Sequence, residues 1–466
     1  MAETKSYFFC GIGGSGMLPL ASIVRAGGGS VAGSDRALDQ GRTAAKFDYL
    51  RALGIDLYPQ DGSGPQPGQI LVASAAVEHS VPDVKAALRL GLERITRAEL
   101  LARLFNAAGT GIAVGGTSGK STVTGMIGWI LHRAGFEPTV MNGAVMKNFA
   151  TADAPFASAL VGRGEVFVSE VDESDGSIIL YRPKIALLNN VSLDHKSLDE
   201  LRTLFGDFLA AARTAVLNLD DPETRALAEA LPAGRRLTFA FDDGTADLCG
   251  SRIEEAAGST RFRVAEPLTG ETIEAELPLW GAHNARNALA ALAAARAAGV
   301  PLRQAGEALA EFRGLRRRFE EVGERKGVLV IDDFGHNPDK IAATLGAARI
   351  GLTGRLLLFF QPHGFGPLRT MRAELVEAFA GGMRGGDVLL LPDPAYYGGT
   401  VERTVTSADI VSDLVARGRL AEHVPDRAEA GRRLAELARP GDRILVMGAR
   451  DDSLSQFAGD VLAALG

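Results

Sequence analysis

The stretch Ile112-Ala113-Val114-Gly115-Gly116-Thr117-Ser118-Gly119-Lys120-Ser121-Thr122-Val123 decides how the chain is read. Ile112 to Val114 predicts a short apolar strand, Gly115 to Gly119 a tight loop, and Lys120 to Arg133 a helix. In such a strand–loop–helix turn the backbone N–H groups point into a concavity that suits phosphate oxygens. A lysine adds charge over the terminal phosphates, and the hydroxyl that follows it can hold Mg²⁺. The longer form of the motif places glycine six residues before the lysine, where this chain has Val114. The shorter Gly-Thr-x-Gly-Lys-Ser-Thr form is intact, which makes Gly116, Thr117, Ser118, Gly119, Lys120, Ser121 and Thr122 the candidate ATP contacts.

Upstream, strands and helices alternate. Tyr7 to Ile12 and Ser30 to Ser34 read as strands, Met17 to Gly27 as a helix, and Ile70 to Ser74 as another strand. This alternation implies βαβ units on a parallel sheet. The first turn, Gly11-Ile12-Gly13-Gly14-Ser15-Gly16, fits Gly-x-Gly-x-x-Gly, and Asp35 follows the second strand. That pattern suits NAD or any nucleotide diphosphate at a helix N-terminus, a UDP-sugar included. Gly13, Gly14, Ser15, Gly16, Met17 and Asp35 are therefore candidate substrate contacts.

Downstream, strands are expected at Val166 to Val171, Ile185 to Asn189 and Ala215 to Asn218. Thr238 to Phe241, Arg261 to Val264 and Thr272 to Leu277 alternate and predict a small antiparallel sheet. A third α/β unit has strands at Val328 to Asp332, Arg355 to Gln361, Val388 to Pro392 and Arg443 to Gly448. Junction-like segments lie near Gly109 and Gly314. The expectation is an α/β chain of three domains. Residues 1–107 form a Rossmann-like N-terminal domain for a UDP-sugar. Residues 108–314 form a central P-loop ATP-binding domain carrying the small antiparallel sheet. Residues 315–466 form a Rossmann-like C-terminal domain.

Composition narrows the function classes. The 466 residues are 46% hydrophobic and 23% charged, with net charge −7, so no broad basic face for nucleic acid is expected. Two cysteines exclude a disulfide framework or a cysteine metal site and point to a reducing, cytoplasmic setting. The N-terminus runs directly into a strand and does not read as a signal peptide. Polar residues break each apolar stretch before it could span a membrane.

Further chemistry-bearing stretches follow strand ends. Glu170-Val171-Asp172-Glu173-Ser174-Asp175 offers carboxylates where open α/β sheets bind ligands, next to a phosphate loop, and Glu170 is a candidate Mg²⁺ ligand. Asn189-Asn190-Val191-Ser192-Leu193-Asp194-His195 places His195 one strand later. Asn284 and Asn287 share a face at a helix start. Arg316-Arg317-Arg318-Phe319-Glu320 is a basic run at the second junction, and Asp332-Asp333-Phe334-Gly335-His336-Asn337-Pro338 follows a strand.

Together and in this order, these motifs resemble the Mur ligase family, within it the members that join L-alanine to UDP-N-acetylmuramate, with murein tripeptide ligases as near relatives. The resemblance implies an ATP- and Mg²⁺-dependent, ADP-forming acid–amino-acid ligase of peptidoglycan precursor synthesis. A substrate carboxylate takes the γ-phosphoryl group of ATP, and an amine then displaces phosphate from the acyl phosphate. By resemblance, Lys120 steadies the transferring phosphoryl group, and Ser121, Glu170 and His195 hold metal. Arg318 reaches phosphates, Asn284 and Asn287 meet adenine, Asp333 binds ribose with His336 nearby, and His363 and Arg369 serve the amino acid. The partners implied are a UDP-sugar and an amino acid, without nucleic acid or membrane insertion, on a monomer or weak homodimer.

Several positions depart from the family pattern. Ser118 stands where the alanine-adding members have His, Ser121 where they have Thr, and Asn337 where they have a second His. The loop Gln361-Pro362-His363-Gly364-Phe365-Gly366-Pro367-Leu368-Arg369 lacks the basic, tyrosine-containing run expected there. A murein tripeptide ligase, or a nucleotide-binding homologue without turnover, is the alternative this loop leaves open. Ser197 to Arg213 contains no lysine to carbamoylate, as in the alanine-adding members.

Overall fold

Short, mostly apolar runs build three sheets. The computed structural model describes residues 5–74, 77–192, 196–395, 403–449, 451 and 453–466. By internal packing the chain divides into two compact units. One contains Met1–Ile253, Arg261–Pro278 and Ala285–Gly314, and the other Glu254–Thr260, Leu279–Asn284 and Leu315–Gly466.

The first unit holds two sheets. The N-terminal sheet runs, edge to edge, Asp56–Tyr58, Ser30–Ser34, Ser6–Cys10, Gln69–Ala73 and Glu93–Thr96, with every pairing parallel. Chain order reverses on either side of Ser6–Cys10. Open α/β sheets bind ligands at the carboxyl ends of strands at such a switch point, and here Gly11–Gly16 leads from that strand end into the helix Met17–Ala26. The two outer strands, Asp56–Tyr58 and Glu93–Thr96, are not anticipated from sequence. They are short edge strands with exposed Asp56, Glu93 and Arg94, so they carry little apolar signal. Thr96 then caps the helix Arg97–Ala107 in a capping box with Glu99.

The central sheet has ten strands. Its middle is Ile185–Leu188, Thr110–Gly115 and Val166–Glu170, all parallel, with Leu188 opposite Gly115 and Glu170 opposite Val114. This register brings the phosphate loop, the acidic segment and the Asn189-Asn190 turn together at the carboxyl ends of three neighbouring strands. Gly111 on the central strand leaves room for the Phe105 ring, which would lie 2.6 Å from a Cβ there. Phe105 in turn meets Phe167 and Tyr181 at ring distances of 5.7 and 5.1 Å. The helix Ala282–Ala297 is buried along Ala288 to Ala295, consistent with its alanine-rich sequence.

One expectation needs correction. Thr238 to Phe241 does not begin an antiparallel sheet. Arg236–Ala240 pairs parallel with Thr214–Asn218, and Leu248–Ala256 pairs parallel with Arg236–Ala240. Ser259–Glu266 and Glu271–Leu277 continue the same ten-stranded sheet to its edge. Leu248–Ala256 is missed in the sequence because its burial fades after Gly250, leaving Arg252, Glu254 and Glu255 without apolar alternation.

In the second unit a six-stranded sheet runs Glu320–Arg325, Val328–Asp333, Arg443–Gly448, Leu356–Gln361, Val388–Leu391 and Leu420–His423. Only the first pairing is antiparallel. Layers of Ile331, Leu358, Leu445 and Phe379 on one face and Phe359, Val446 and Phe457 on the other form its core. The protein is thus a three-domain α/β protein with one sheet per domain. Among the described residues no helix is long and apolar enough to cross a membrane.

Candidate active site

The phosphate loop is built by glycine conformation and pinned by asparagines. Gly116 and Gly119 adopt φ of 129° and 83°, which side-chain-bearing residues rarely reach. A Cβ on Gly119 would also strike Asn287 Oδ1. The Asn190 side chain brackets the loop: its Oδ1 accepts from Ser118 N at 2.8 Å and Thr117 Oγ1 at 3.0 Å, and its Nδ2 donates to Ser118 O at 3.0 Å. Ser192 N donates to Thr117 Oγ1 at 3.0 Å. Asn189 Nδ2 donates to Asn287 Oδ1 at 3.1 Å. Asn287 is therefore held against the phosphate loop, whereas Asn284 donates from Nδ2 to Trp280 O at 2.8 Å.

Lys120 Nζ donates to Gly116 O at 2.6 Å and to both Glu173 oxygens at 2.9 and 2.8 Å. Ser121 Oγ donates to Glu170 Oε2 at 2.7 Å, and Asn142 Nδ2 donates to Ser121 O at 2.9 Å. A side chain at Gly143 would collide with Glu170 Oε1, so glycine there keeps a cradle beside the carboxylate. A hydroxyl and a carboxylate this close form a hard-oxygen pair that suits Mg²⁺. That ion takes one or two protein ligands and fills its remaining positions with phosphate and water. Among the described residues there is no cluster of three or more His, Cys, Asp or Glu that could hold a metal ion. Burial pushes the Asp172 carboxyl up, but the Ser174 hydroxyl and N–H, with the charges of Lys120 and Arg97, outweigh it and hold the group below the usual carboxylate range. His195 lies outside the described residues.

In the N-terminal domain the glycine turn is tied to the second strand. Gly11 N and Ile12 N donate to Ser34 O at 2.8 and 3.0 Å. Asp35 accepts from Gly13 N at 2.9 Å and from Ala37 N at 2.8 Å, so its carboxylate braces the loop and caps the next helix. Lys46 Nζ donates to Gly13 O at 3.3 Å. Met17 contributes its side chain to the hydrophobic core, leaving its backbone at the helix start. Gly14, Ser15 and Gly16 complete the turn.

In the second unit Asp333 is buried and accepts from Phe319 N at 2.7 Å, Gly335 N at 2.8 Å and Thr344 Oγ1 at 2.8 Å. The Arg318 guanidinium lies 4.4 Å from the Phe334 ring centre, a cation–π distance. The His336 and His363 rings meet edge to face at 5.5 Å, and His336 Nδ1 lies 2.9 Å from Phe334 O. Burial, with Lys340 nearby, pushes the His336 imidazole down to about 3, so it is neutral at ordinary pH. Asn337, in place of the family's histidine, caps the following helix through Lys340 N at 3.0 Å. Arg369 lies in the last turn of the helix Phe365–Thr370, while Arg372 is committed to Asp413 at 2.7 and 3.0 Å.

Three family models divide the chain. That of the Mur ligase family, catalytic domain, matches residues 6–108, the Mur ligase middle domain residues 114–295, and the Mur ligase, glutamate ligase domain residues 317–450. A UDP-N-acetylmuramate–L-alanine ligase of Cereibacter sphaeroides is 36% identical, over 99% of this chain and 97% of that protein. The chain belongs to the Mur ligase family. It is an ATP-dependent, ADP-forming ligase. A UDP-N-acetylmuramate–L-alanine ligase of Paracoccus denitrificans is 35% identical, over 96% and 94% of the two chains. The solved UDP-N-acetylmuramate–alanine ligase of Thermotoga maritima shares the fold at TM-score 0.80 and 24% identity, each chain covered to 99%. A murein peptide ligase of Psychrobacter arcticus shares it at TM-score 0.73 and 24% identity, again over 99% of both.

Among residues grouped by this Mur ligase's fold, Asn190 and Glu173 were not singled out in the sequence. Both sit in stretches that were: Asn190 just past a strand end, and Glu173 three residues after Glu170. Their partners lie 72 and 53 residues away, so only the sheet register reveals them.

Proposed function

We propose that this Mur ligase joins L-alanine to the carboxylate of UDP-N-acetylmuramate, at an early amide-forming step of peptidoglycan precursor synthesis in the cytoplasm. The support is similarity to alanine ligases over nearly the whole chain, together with an intact Lys120, Ser121 and Glu170 set. Phosphoryl transfer asks the protein mainly for positioned charge and dipoles. Lys120 sits over the transferring phosphoryl group, and the N–H groups of Gly116 to Lys120 cradle the phosphates. Ser121 and Glu170 would hold Mg²⁺, which would supply neutralisation of polyphosphate charge, and His195 is the candidate ligand for a second ion. The turn at Gly13 to Gly16, braced by Asp35, takes the UDP diphosphate. Asn287 keeps the phosphate loop in place beside Asn189. In the C-terminal domain Arg318, Asp333 and His336 are the nucleotide-directed residues, and His363 and Arg369 the amino-acid-directed ones.

The domain boundaries 1–107, 108–314 and 315–466 are part of this proposal, as is a monomer or weak homodimer. One observation favours a second acceptor, the murein tripeptide. The segment after His363 lacks the basic, tyrosine-containing run of the alanine-adding members; of the arginines near it, Arg372 is paired with Asp413 and Arg403 lies 5.3 Å from the Phe365 ring centre. The test is phosphate release from Mg·ATP with UDP-N-acetylmuramate against L-alanine, other amino acids and the tripeptide. Release that needs both the sugar and L-alanine is the expected result. Release with the tripeptide alone replaces the acceptor, and no release with any pair removes the ligase assignment for this sugar.

A further inference from the structure

Lys120 has three N–H donors, and all three are accounted for by protein acceptors: Gly116 O and the two oxygens of Glu173. The pair is largely withdrawn from water, with side-chain exposure of 20% for Lys120 and 8% for Glu173. A phosphate seated in the Gly116–Gly119 loop needs donors from the same ammonium, and three protons cannot serve it and all three present acceptors. One acceptor must yield. Gly116 O belongs to the loop backbone, fixed at φ 129° and tied through the neighbouring Thr117 to Asn190. Glu173 is a side chain and carries the same sign of charge as the phosphate, so it is the acceptor that gives way.

We infer that Glu173 is the resident counterion of Lys120, a positioning residue that holds the ammonium in the phosphate loop and competes with the nucleotide's phosphates for it. This rests on the nucleotide-site reading above and adds a residue to it. The neighbouring pair fits the same scheme. Three residues earlier on the same segment, Glu170 holds Ser121, so one short stretch positions both side chains that follow Gly119. The competition has a direction. Removing the Glu173 charge while keeping its shape strengthens binding of a nucleoside polyphosphate and leaves UDP-N-acetylmuramate binding alone. The expected size is about tenfold, the scale of one charge-assisted hydrogen bond no longer contested.

The experiment is calorimetric titration of ADP, and separately of UDP-N-acetylmuramate, into the wild type and Glu173→Gln. An ADP Kd lower by about tenfold with an unchanged sugar Kd supports the inference. A merely structural glutamate would leave ADP affinity unchanged or weaken it, and either result in a folded variant overturns the inference while leaving the ATP site standing. Failure of the wild type itself to bind ADP overturns the nucleotide-site reading and this inference with it. A crystal structure of the wild type with ADP is the check that needs no variant. Lys120 Nζ and the Glu173 oxygens are expected more than about 4 Å apart, beyond ion-pair range. Persistence of the 2.8 Å pair with phosphate in the loop overturns the inference.

Discussion

Asn190→Ala tests whether the phosphate loop is held by the strand beside it. The side chain makes three hydrogen bonds to the loop, two with Ser118 and one with Thr117. At about 1 kcal/mol each, their gross worth is near 3 kcal/mol. Thr117 retains Ser192, 2.9 Å from its hydroxyl, so one bond is partly replaced and about 2 kcal/mol remains. Water satisfies the exposed Ser118 groups in the unliganded variant, so global stability falls by only about 1 kcal/mol or less. The larger share appears on binding, when a loosened loop must be ordered around phosphate. At about 1.4 kcal/mol, that share corresponds to a loss of about tenfold in ADP affinity. Titration calorimetry with Mg·ADP, alongside a circular dichroism melt, measures both numbers. A folded variant whose ADP Kd moves less than about threefold would refute the claim that Asn190 orders the loop.

Other perturbations separate the remaining parts. Gly119→Ala forces a side chain into a backbone at φ 83° and against Asn287, so ADP affinity should fall at least tenfold in a binding titration while the sugar still binds. Asp35→Ala removes the brace on Gly13 N and a helix cap, at about 1 kcal/mol for the cap; UDP-N-acetylmuramate affinity should fall about tenfold by titration and ADP affinity should not. His336 is held neutral, its folded value of about 3 lying below the unfolded value of roughly 6.5. Below pH 6.5 the unfolded chain gains a proton the folded one refuses, so stability drops as pH falls toward 3. Between pH 7 and 4.5 the wild type should lose roughly 2 kcal/mol relative to His336→Gln in urea melts, and parallel pH profiles would exclude the effect.

Much of this architecture was legible because phosphate loops are local. Gly116 to Thr122 carries its strand, glycine turn and helix within a dozen residues, and Lys120–Arg133 is helical as the sequence predicts. The Gly11 to Gly16 turn was legible for the same reason, as was Asp35, though its two bonds make it a brace for that turn. What was hidden depends on distant pairing. Leu248–Ala256 is a strand because Arg236–Ala240 offers it a parallel edge, not because its own residues alternate. Glu173 and Asn190 gained their roles only when the sheet register placed them beside Lys120 and Ser118. Asn337 looked like a lost functional histidine, and in the structure it is the helix cap that asparagine makes well.

The central claim is that a substrate carboxylate is activated by phosphoryl transfer before the amine attacks. It is tested most directly with UDP-N-acetylmuramate labelled with heavy oxygen in its lactyl carboxylate, incubated with Mg·ATP and L-alanine, and mass spectrometry of the released phosphate. The account predicts one heavy oxygen passed from the carboxylate into phosphate for each amide bond formed. Amide formation with unlabelled phosphate would contradict it.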